Sequence, residues 1–338
     1  MTAHNLQHEN NATNSMVPTV TLDDIRAARS RLEGIAARTR LVEFEHPESN
    51  ARRLFLKPEN QQPIGAFKLR GAYNKIASLS PEDRQRGVIS YSSGNHAQGV
   101  AYAARALGVN AVIVMPDNAP PIKREATAAL GAEIVIVGPG SAERQNKAEE
   151  LAAQRGYVIV PPYNDEQIIA GQGTMGLEIL EDLPEVEAVF SPVGGGGMIS
   201  GVAAAIKLSR PSIKVIGVEP ELAGDAQASL RAGKIIHFPA DEVSRTIADG
   251  LRTQSIGSIN FEHIRRYVDD IVTVSEEEIC RAVRLLASNP ATVAEPSGAV
   301  AVAGFLFRSH QLPKTKFNVA IVSGGNIDPK MLEEIRRE

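Results

Sequence analysis

The chain has a single cysteine, Cys280, in 338 residues, so no disulfide can form within it. That usage fits a reducing, cytoplasmic setting. No apolar run approaches the roughly 18 residues that a membrane-spanning helix needs. Charge of one sign is also missing: 36 Lys and Arg face 40 Asp and Glu, a formal −4 with the signs mixed. This leaves no basic stripe for nucleic acid. Residues 1–17 lack the apolar core of a signal peptide and are rich in Asn, His and Gln, which reads as a disordered tail. No repeat and no low-complexity linker divides the remainder. Folding is expected to begin near Thr21, where Thr21-Leu22-Asp23-Asp24 has the form of a helix N-cap with acids in its first turn.

What is present is an alternation of short apolar β-rich runs with Ala-rich segments of helical period. Strands are predicted at 87–91, 111–115, 134–137, 157–160, 188–191, 214–218, 271–274 and 318–322. Helices are predicted at 69–78, 97–107, 122–130, 144–154, 201–209, 226–232, 276–286 and 298–308. Such alternation implies parallel sheet with right-handed crossovers, an α/β architecture. With 43% hydrophobic and 22% charged residues, the composition suits a soluble enzyme of two domains or one large α/β unit.

Glycine-rich turns fall at the C-terminal ends of predicted strands, where open α/β sheets place their ligands. They are Ser92-Ser93-Gly94-Asn95-His96, Gly194-Gly195-Gly196-Gly197 and Ser323-Gly324-Gly325-Asn326. Any one of them suits an ordinary strand-to-helix turn; three together suggest one cleft. A fourth segment, Gly65-Ala66-Phe67-Lys68-Leu69-Arg70-Gly71, sets a lysine among glycines and apolar residues where a helix should open. A helix N-terminus and a desolvated setting both lower a lysine pKa, and the unprotonated amine is the form that condenses with an aldehyde. Bare N–H groups of four successive glycines can close on a phosphate. Aldehyde plus phosphate describes pyridoxal phosphate, whose chemistry is that of carbanions at the α-carbon of amino acids. Lys75, lower on the same helix, reads as a surface charge. So do His237, His263 and His310, while Cys280 reads as a half-buried structural thiol.

The stretch from Lys57-Pro58-Glu59 through Phe67-Lys68-Leu69-Arg70-Gly71-Ala72, followed by Ser92-Ser93-Gly94-Asn95-His96-Ala97-Gln98, resembles the serine/threonine dehydratase and serine racemase family. These are fold-type II pyridoxal-phosphate enzymes. The likeness runs from about 21 to 327 and is to the short members without a C-terminal regulatory domain. It implies a tryptophan synthase β-like α/β fold of two open twisted sheets. The cofactor would lie in the cleft between a small domain, 86–164, and a large one, 18–85 plus 165–338. Lys68 would hold the cofactor as an aldimine, Phe67 would pack on its ring, Asn95 would meet the ring hydroxyl and Ser323 the pyridine nitrogen. Gly194, Gly195, Gly196, Gly197 and Met198 would supply N–H donors to the phosphate. Glu295 either lies near the ring or is a plain turn carboxylate.

On the substrate side the resemblance gives Ser92, Ser93, Asn95 and His96, with Ser93 as an acid/base on the face opposite Lys68. Arg144 is either a substrate-side arginine or an ordinary helix arginine. Glu219, the Ala223 carbonyl and Asp225 resemble a divalent-cation site for Mg²⁺, or else Ca²⁺ or Mn²⁺; composition alone makes this an acidic surface loop. The segment 246–250, Ser255 and Gly257 resemble loops beside the cofactor and the side-chain pocket. A homodimer is expected, with a small amino acid as substrate. The favoured reading is a dehydratase (ammonia-lyase) for L-serine, L-threonine or 3-hydroxyaspartate. The alternative is a serine or aspartate racemase, and one site could run both through a shared carbanion. β-Replacement is disfavoured because that branch carries a threonine-type turn at 92–96. A non-enzymatic cofactor-binding regulator is disfavoured by the retention of Lys68, Asn95, the glycine run and Ser323.

Overall fold

The computed structural model describes residues 19–45, 52–119 and 121–337. The tail expected at 1–17 lies outside them. The strands are β1 (Val42–Phe44), β2 (Arg53–Pro58), β3 (Val88–Tyr91), β4 (Ala111–Pro116), β5 (Glu133–Val137), β6 (Val158–Ile159), β7 (Ala188–Pro192), β8 (Lys214–Pro220), β9 (Asp270–Val274) and β10 (Phe317–Val322). They form a six-stranded sheet ordered β1-β2-β10-β7-β8-β9 and a four-stranded sheet ordered β5-β4-β3-β6. All pairings are parallel except β1–β2. The smaller sheet therefore uses only strands from Val88 to Ile159, and the larger takes strands from either side of that stretch.

The central strands β7 and β10 read as near-continuous apolar runs because helices cover both faces. On one face of the larger sheet pack the helices Leu22–Leu32, Glu166–Asp182, Gly197–Ser209 and Ser258–Tyr267. On the other pack Glu276–Leu286, Pro296–Phe307 and Pro329–Arg337. The helix Lys68–Ala77 sends Leu69, Ala72, Tyr73 and Ile76 into the apolar cluster under the four-stranded sheet, beside Val88 and Ile113. Local signals set the helix starts. Thr21 and Asp24 form a reciprocal capping box, as do Ser275 and Glu278.

The helix Glu166–Asp182 carries Gly171, Gly173 and Gly176, each costing about 1 kcal/mol against alanine in a helix interior. Close packing explains them. A Cβ on Gly171 would lie 2.6 Å from the Arg70 carbonyl oxygen, one on Gly173 would lie 2.9 Å from that of Gly201, and one on Gly176 would lie 2.7 Å from the Ala205 Cβ. One helix thus meets both the Lys68 helix and the Gly197 helix at backbone distance.

Three expectations need correction. His263 is buried rather than on the surface: its Nε2 accepts from the Val20 N–H at 2.9 Å, so Nδ1 carries the proton and donates to the Ile259 carbonyl at 2.8 Å. Lys75 is half-buried and paired with Asp165 at 2.6 Å. The helix predicted from 201 starts at Gly197. His237 and His310 are exposed, and Cys280 is half-buried.

Candidate active site

Lys68 is the first residue of its helix. The Phe67 N–H donates to the Ser323 carbonyl at 3.0 Å, and Gly325 N–H donates to the Gly65 carbonyl at 2.9 Å. These bonds bring the lysine segment and the third glycine turn together. The Lys68 Nζ donates to the Pro162 carbonyl at 2.7 Å and lies 5.2 Å from the centroid of the Phe67 ring. Burial disfavours the ammonium and lowers its pKa to about 8. The cause is loss of water.

The glycine run follows β7. Gly194 and Gly196 hold φ of +54° and +94°, conformations that favour glycine, and the helix then begins at Gly197. The first intrahelical bond is that from Ser200 N–H to the Gly196 carbonyl, 3.0 Å, so the N–H groups of Gly197, Met198 and Ile199 are left for another acceptor. Tyr163 closes this cradle. A Cβ on Gly195 would strike its ring at 2.3 Å, and one on Gly197 would lie 2.9 Å from its Cβ. A desolvated amine and a glycine cradle at a helix N-terminus fit a phosphate-bearing aldehyde.

The turn that joins β3 to the helix Asn95–Leu107 lies beside the Lys68 segment and the third glycine turn. Ser92, Ser93, Gly94 and Asn95 are half-buried, and the Ser92 Oγ accepts from the Gly94 N–H at 3.3 Å. Asn95 reaches across to the larger sheet: its Nδ2 donates to Glu295 at 2.6 Å, and its Oδ1 accepts from Asn326 at 2.8 Å. Glu295 is a buried carboxyl raised to about 7, first by burial and then by the charge of Asp249. Ser323 is buried, with its Oγ donating to the Ser297 carbonyl at 3.4 Å. The His96 imidazole turns inward to the Val160 carbonyl at 3.1 Å; burial and the nearby Lys68 drop its pKa to about 3, so it is neutral. Only its backbone can face a ligand in this turn.

A cavity of about 320 Å³ is lined in part by Tyr91, Pro162, Tyr163, Asn164, Ser255 and Gly257; it shares Pro162 with the Lys68 hydrogen bond and Tyr163 with the glycine run. Arg144 does not line it, although its neighbour Gln145 does. The Arg144 Nη1 donates to the Pro139 carbonyl at 3.4 Å, and burial lowers its pKa. The 246–250 segment reaches the site through the Gly250 N–H, which donates to the Ser297 Oγ at 2.9 Å. On β8, Glu219 is buried and accepts from the N–H groups of Ala226 at 3.3 Å and Gln227 at 2.9 Å. Both carboxylate oxygens of buried Asp225 lack a hydrogen-bond partner. Burial raises both carboxyls, Asp225 to about 7, and Asp225 further raises Glu219. The two orphaned oxygens of Asp225, with the buried Glu219 carboxylate and the nearby Ala223 backbone, fit a hard divalent cation.

Tyr163 and Pro162 are site residues that sequence reasoning missed, and Asn326 figures there only as the last residue of a glycine turn. The Pro161-Pro162-Tyr163-Asn164 turn follows β6, so its place at a strand C-terminus was the available signal.

The sequence pattern described as pyridoxal-phosphate dependent enzyme matches residues 32–324. The chain is 46% identical over 317 residues to the L-threonine ammonia-lyase of Thermotoga maritima, covering 94% of this chain and 78% of that protein. It is 43% identical over 277 residues to the L-threo-3-hydroxyaspartate ammonia-lyase of Saccharomyces cerevisiae, covering 82% of this chain and 84% of that one. Maize serine racemase superposes with a TM-score of 0.89 at 36% identity, covering 94% of this chain and 97% of that chain. With this architecture and these relatives, the chain belongs to the pyridoxal-phosphate dependent enzymes, in their fold-type II branch.

Proposed function

We propose that the protein is an ammonia-lyase that converts a β-hydroxy amino acid, namely L-serine, L-threonine or 3-hydroxyaspartate, to a 2-oxo acid and ammonium. The observation that supports this reading is the desolvated Lys68 amine, bonded to the carbonyl of Pro162 beside Tyr163, which packs against the glycine cradle. Pyridoxal phosphate, when bound, supplies the electron sink that makes the α-proton removable. Gly194, Gly195, Gly196, Gly197 and Met198 hold its phosphate, Phe67 its ring face, Asn95 its hydroxyl and Ser323 its nitrogen. Glu295 keeps Asn95 oriented. The N–H groups of the Ser92–His96 turn hold the substrate carboxylate, and Lys68, once free, takes the α-proton as general base. The unit 86–164 closes over the substrate against the remainder and excludes water. Names of the relatives support the substrate class: threonine and threo-3-hydroxyaspartate ammonia-lyases lead them.

A second reading, racemisation, assigns to the Ser93 hydroxyl the return of a proton from the face opposite Lys68. A panel of L-serine, L-threonine and 3-hydroxyaspartate, scored for 2-oxo acid and D-amino acid with and without chelator, tests both. Failure to release any 2-oxo acid sinks the lyase assignment. A homodimer in the cytoplasm belongs to the same reading, checked by light scattering and fractionation.

The amine should also set the pH dependence of cofactor capture. Below pH 8 the apoprotein should take up pyridoxal phosphate about tenfold more slowly per pH unit, because only the neutral amine reacts, and the rate should level off above it. A rate still climbing toward pH 10 would mean that the amine is not desolvated.

For the cation we propose Mg²⁺, or else Ca²⁺ or Mn²⁺, on Glu219, Asp225 and the Ala223 carbonyl. At a hundredfold excess over its dissociation constant, a cation bound only by the folded state adds about 2.7 kcal/mol, read as a rise in Tm. Asp225→Asn should lose that rise, while its chelated form melts no lower than the chelated parent because a buried repulsion is gone. An unchanged Tm on adding Mg²⁺, Ca²⁺ or Mn²⁺ to the parent would remove the cation from this site.

A further inference from the structure

We propose that Arg70 is the positioning residue for Lys68, clamped by Glu59 and Glu178 in a buried four-charge mount that fixes the first turn of the lysine helix. The inference rests on Lys68 being the lysine that carries the cofactor. Arg70, Glu59 and Lys57 are at most 1% exposed, and Glu178 is 7% exposed. Two cations face two anions. The Arg70 guanidinium makes two bidentate pairs: Nε and Nη2 to Glu59, each at 2.8 Å, and Nη1 and Nη2 to Glu178 at 2.8 and 2.9 Å. Its remaining reach goes to the Thr174 Oγ1 at 3.1 Å and the Ala37 carbonyl at 3.2 Å. Lys57 donates to Glu178 and to the Thr39 carbonyl, Thr39 Oγ1 donates to Glu59 at 2.7 Å, and Gln62 donates to Glu59 at 3.0 Å.

A buried network of this kind adds little net stability over apolar packing, and its strength lies in geometric specificity. Moving the helix turn by a fraction of an ångström would strain four hydrogen bonds at once. Arg70 leaves the helix about 200° round from Lys68, at 100° per residue. The mount therefore grips the turn from behind while Lys68 faces the cleft. Its anchors come from the 37–39 segment, the end of β2 and the Glu166–Asp182 helix. Gly99 completes the seat: a Cβ there would lie 3.2 Å from the Lys68 carbonyl carbon and oxygen. The mount acts on Lys68 through the position of the helix turn, since its ion pairs lie on the side of the helix away from the amine.

The test compares Arg70→Lys and Glu178→Gln holoenzymes with Ile335→Ala, a core truncation in the C-terminal helix under the far face of the larger sheet. Arg70→Lys keeps the charge and loses the paired forks; Glu178→Gln keeps the shape and loses one charge. Both should retain cofactor absorbance yet lose most of its visible circular dichroism, which reports a fixed orientation. Their kcat should fall about 100-fold, with KM within about threefold. Ile335→Ala should lower Tm and leave dichroism and kcat intact. If the two mount variants lower only Tm, or if neither yields folded holoenzyme, the mount is a stability element and the proposal is overturned. Loss of the Lys68 assignment would appear separately, as cofactor still covalently held by Lys68→Ala.

Discussion

Lys68→Ala is expected to abolish covalent cofactor retention and to lower turnover about 10⁴-fold or more, because tether and general base are lost together. The fold should survive. Leu69, Ala72, Tyr73 and Ile76 keep the helix in its apolar cluster, and Arg70 keeps its ion pairs. The amine donates to the Pro162 carbonyl, a partner that water in the cleft can replace. Absorbance after gel filtration and single-turnover release of 2-oxo acid measure the two effects. Turnover within tenfold of the parent would reject Lys68 as the reacting lysine, and the lyase mechanism with it.

Ser93→Ala separates the two candidate reactions. Elimination needs a base on one face of the α-carbon, whereas inversion needs a proton donor on the other. In the β3 turn the Ser92 Oγ accepts from the Gly94 N–H, and we assign that task to the hydroxyl of its neighbour Ser93. The substitution removes one oxygen from a half-buried turn and should leave elimination from the L-substrate within about tenfold of the parent. Release of the D-enantiomer should drop by about 100-fold or more, the usual scale of a lost acid/base group. Chiral chromatography of recovered substrate gives the answer. Persistent D-serine formation would show that another group protonates that face.

Much of the site was legible because its signals are local. A lysine between glycines, four glycines after an apolar run and polar turns at strand ends each reflect one short segment's backbone needs. The parallel strands β3, β4, β7, β8, β9 and β10 were legible for the same reason, as short runs rich in Val and Ile. What escaped depends on partners distant in sequence. The helix Glu166–Asp182 was missed because Gly171, Gly173 and Gly176 argue against helix until the neighbouring backbones are in place. In β2, Lys57 interrupts the apolar pattern, and only Glu178, 121 residues on, explains its burial. His263 gave no hint that the Val20 N–H would need its nitrogen. The role of Asn326 follows only from its bond to Asn95, 231 positions away.

Gly171 and Gly173, two positions apart on the Glu166–Asp182 helix, act as a gauge block between two jaws. One notch sets how near the amine-bearing turn can come, and the other sets the helix that opens at the phosphate cradle. Thickening either notch would alter the span between the jaws while leaving every residue that faces the cleft unchanged. The separation of the two helix starts is therefore recorded in the spacing of glycines on a supporting helix. Drift at those positions would surface as a poorly seated cofactor in an otherwise intact cleft.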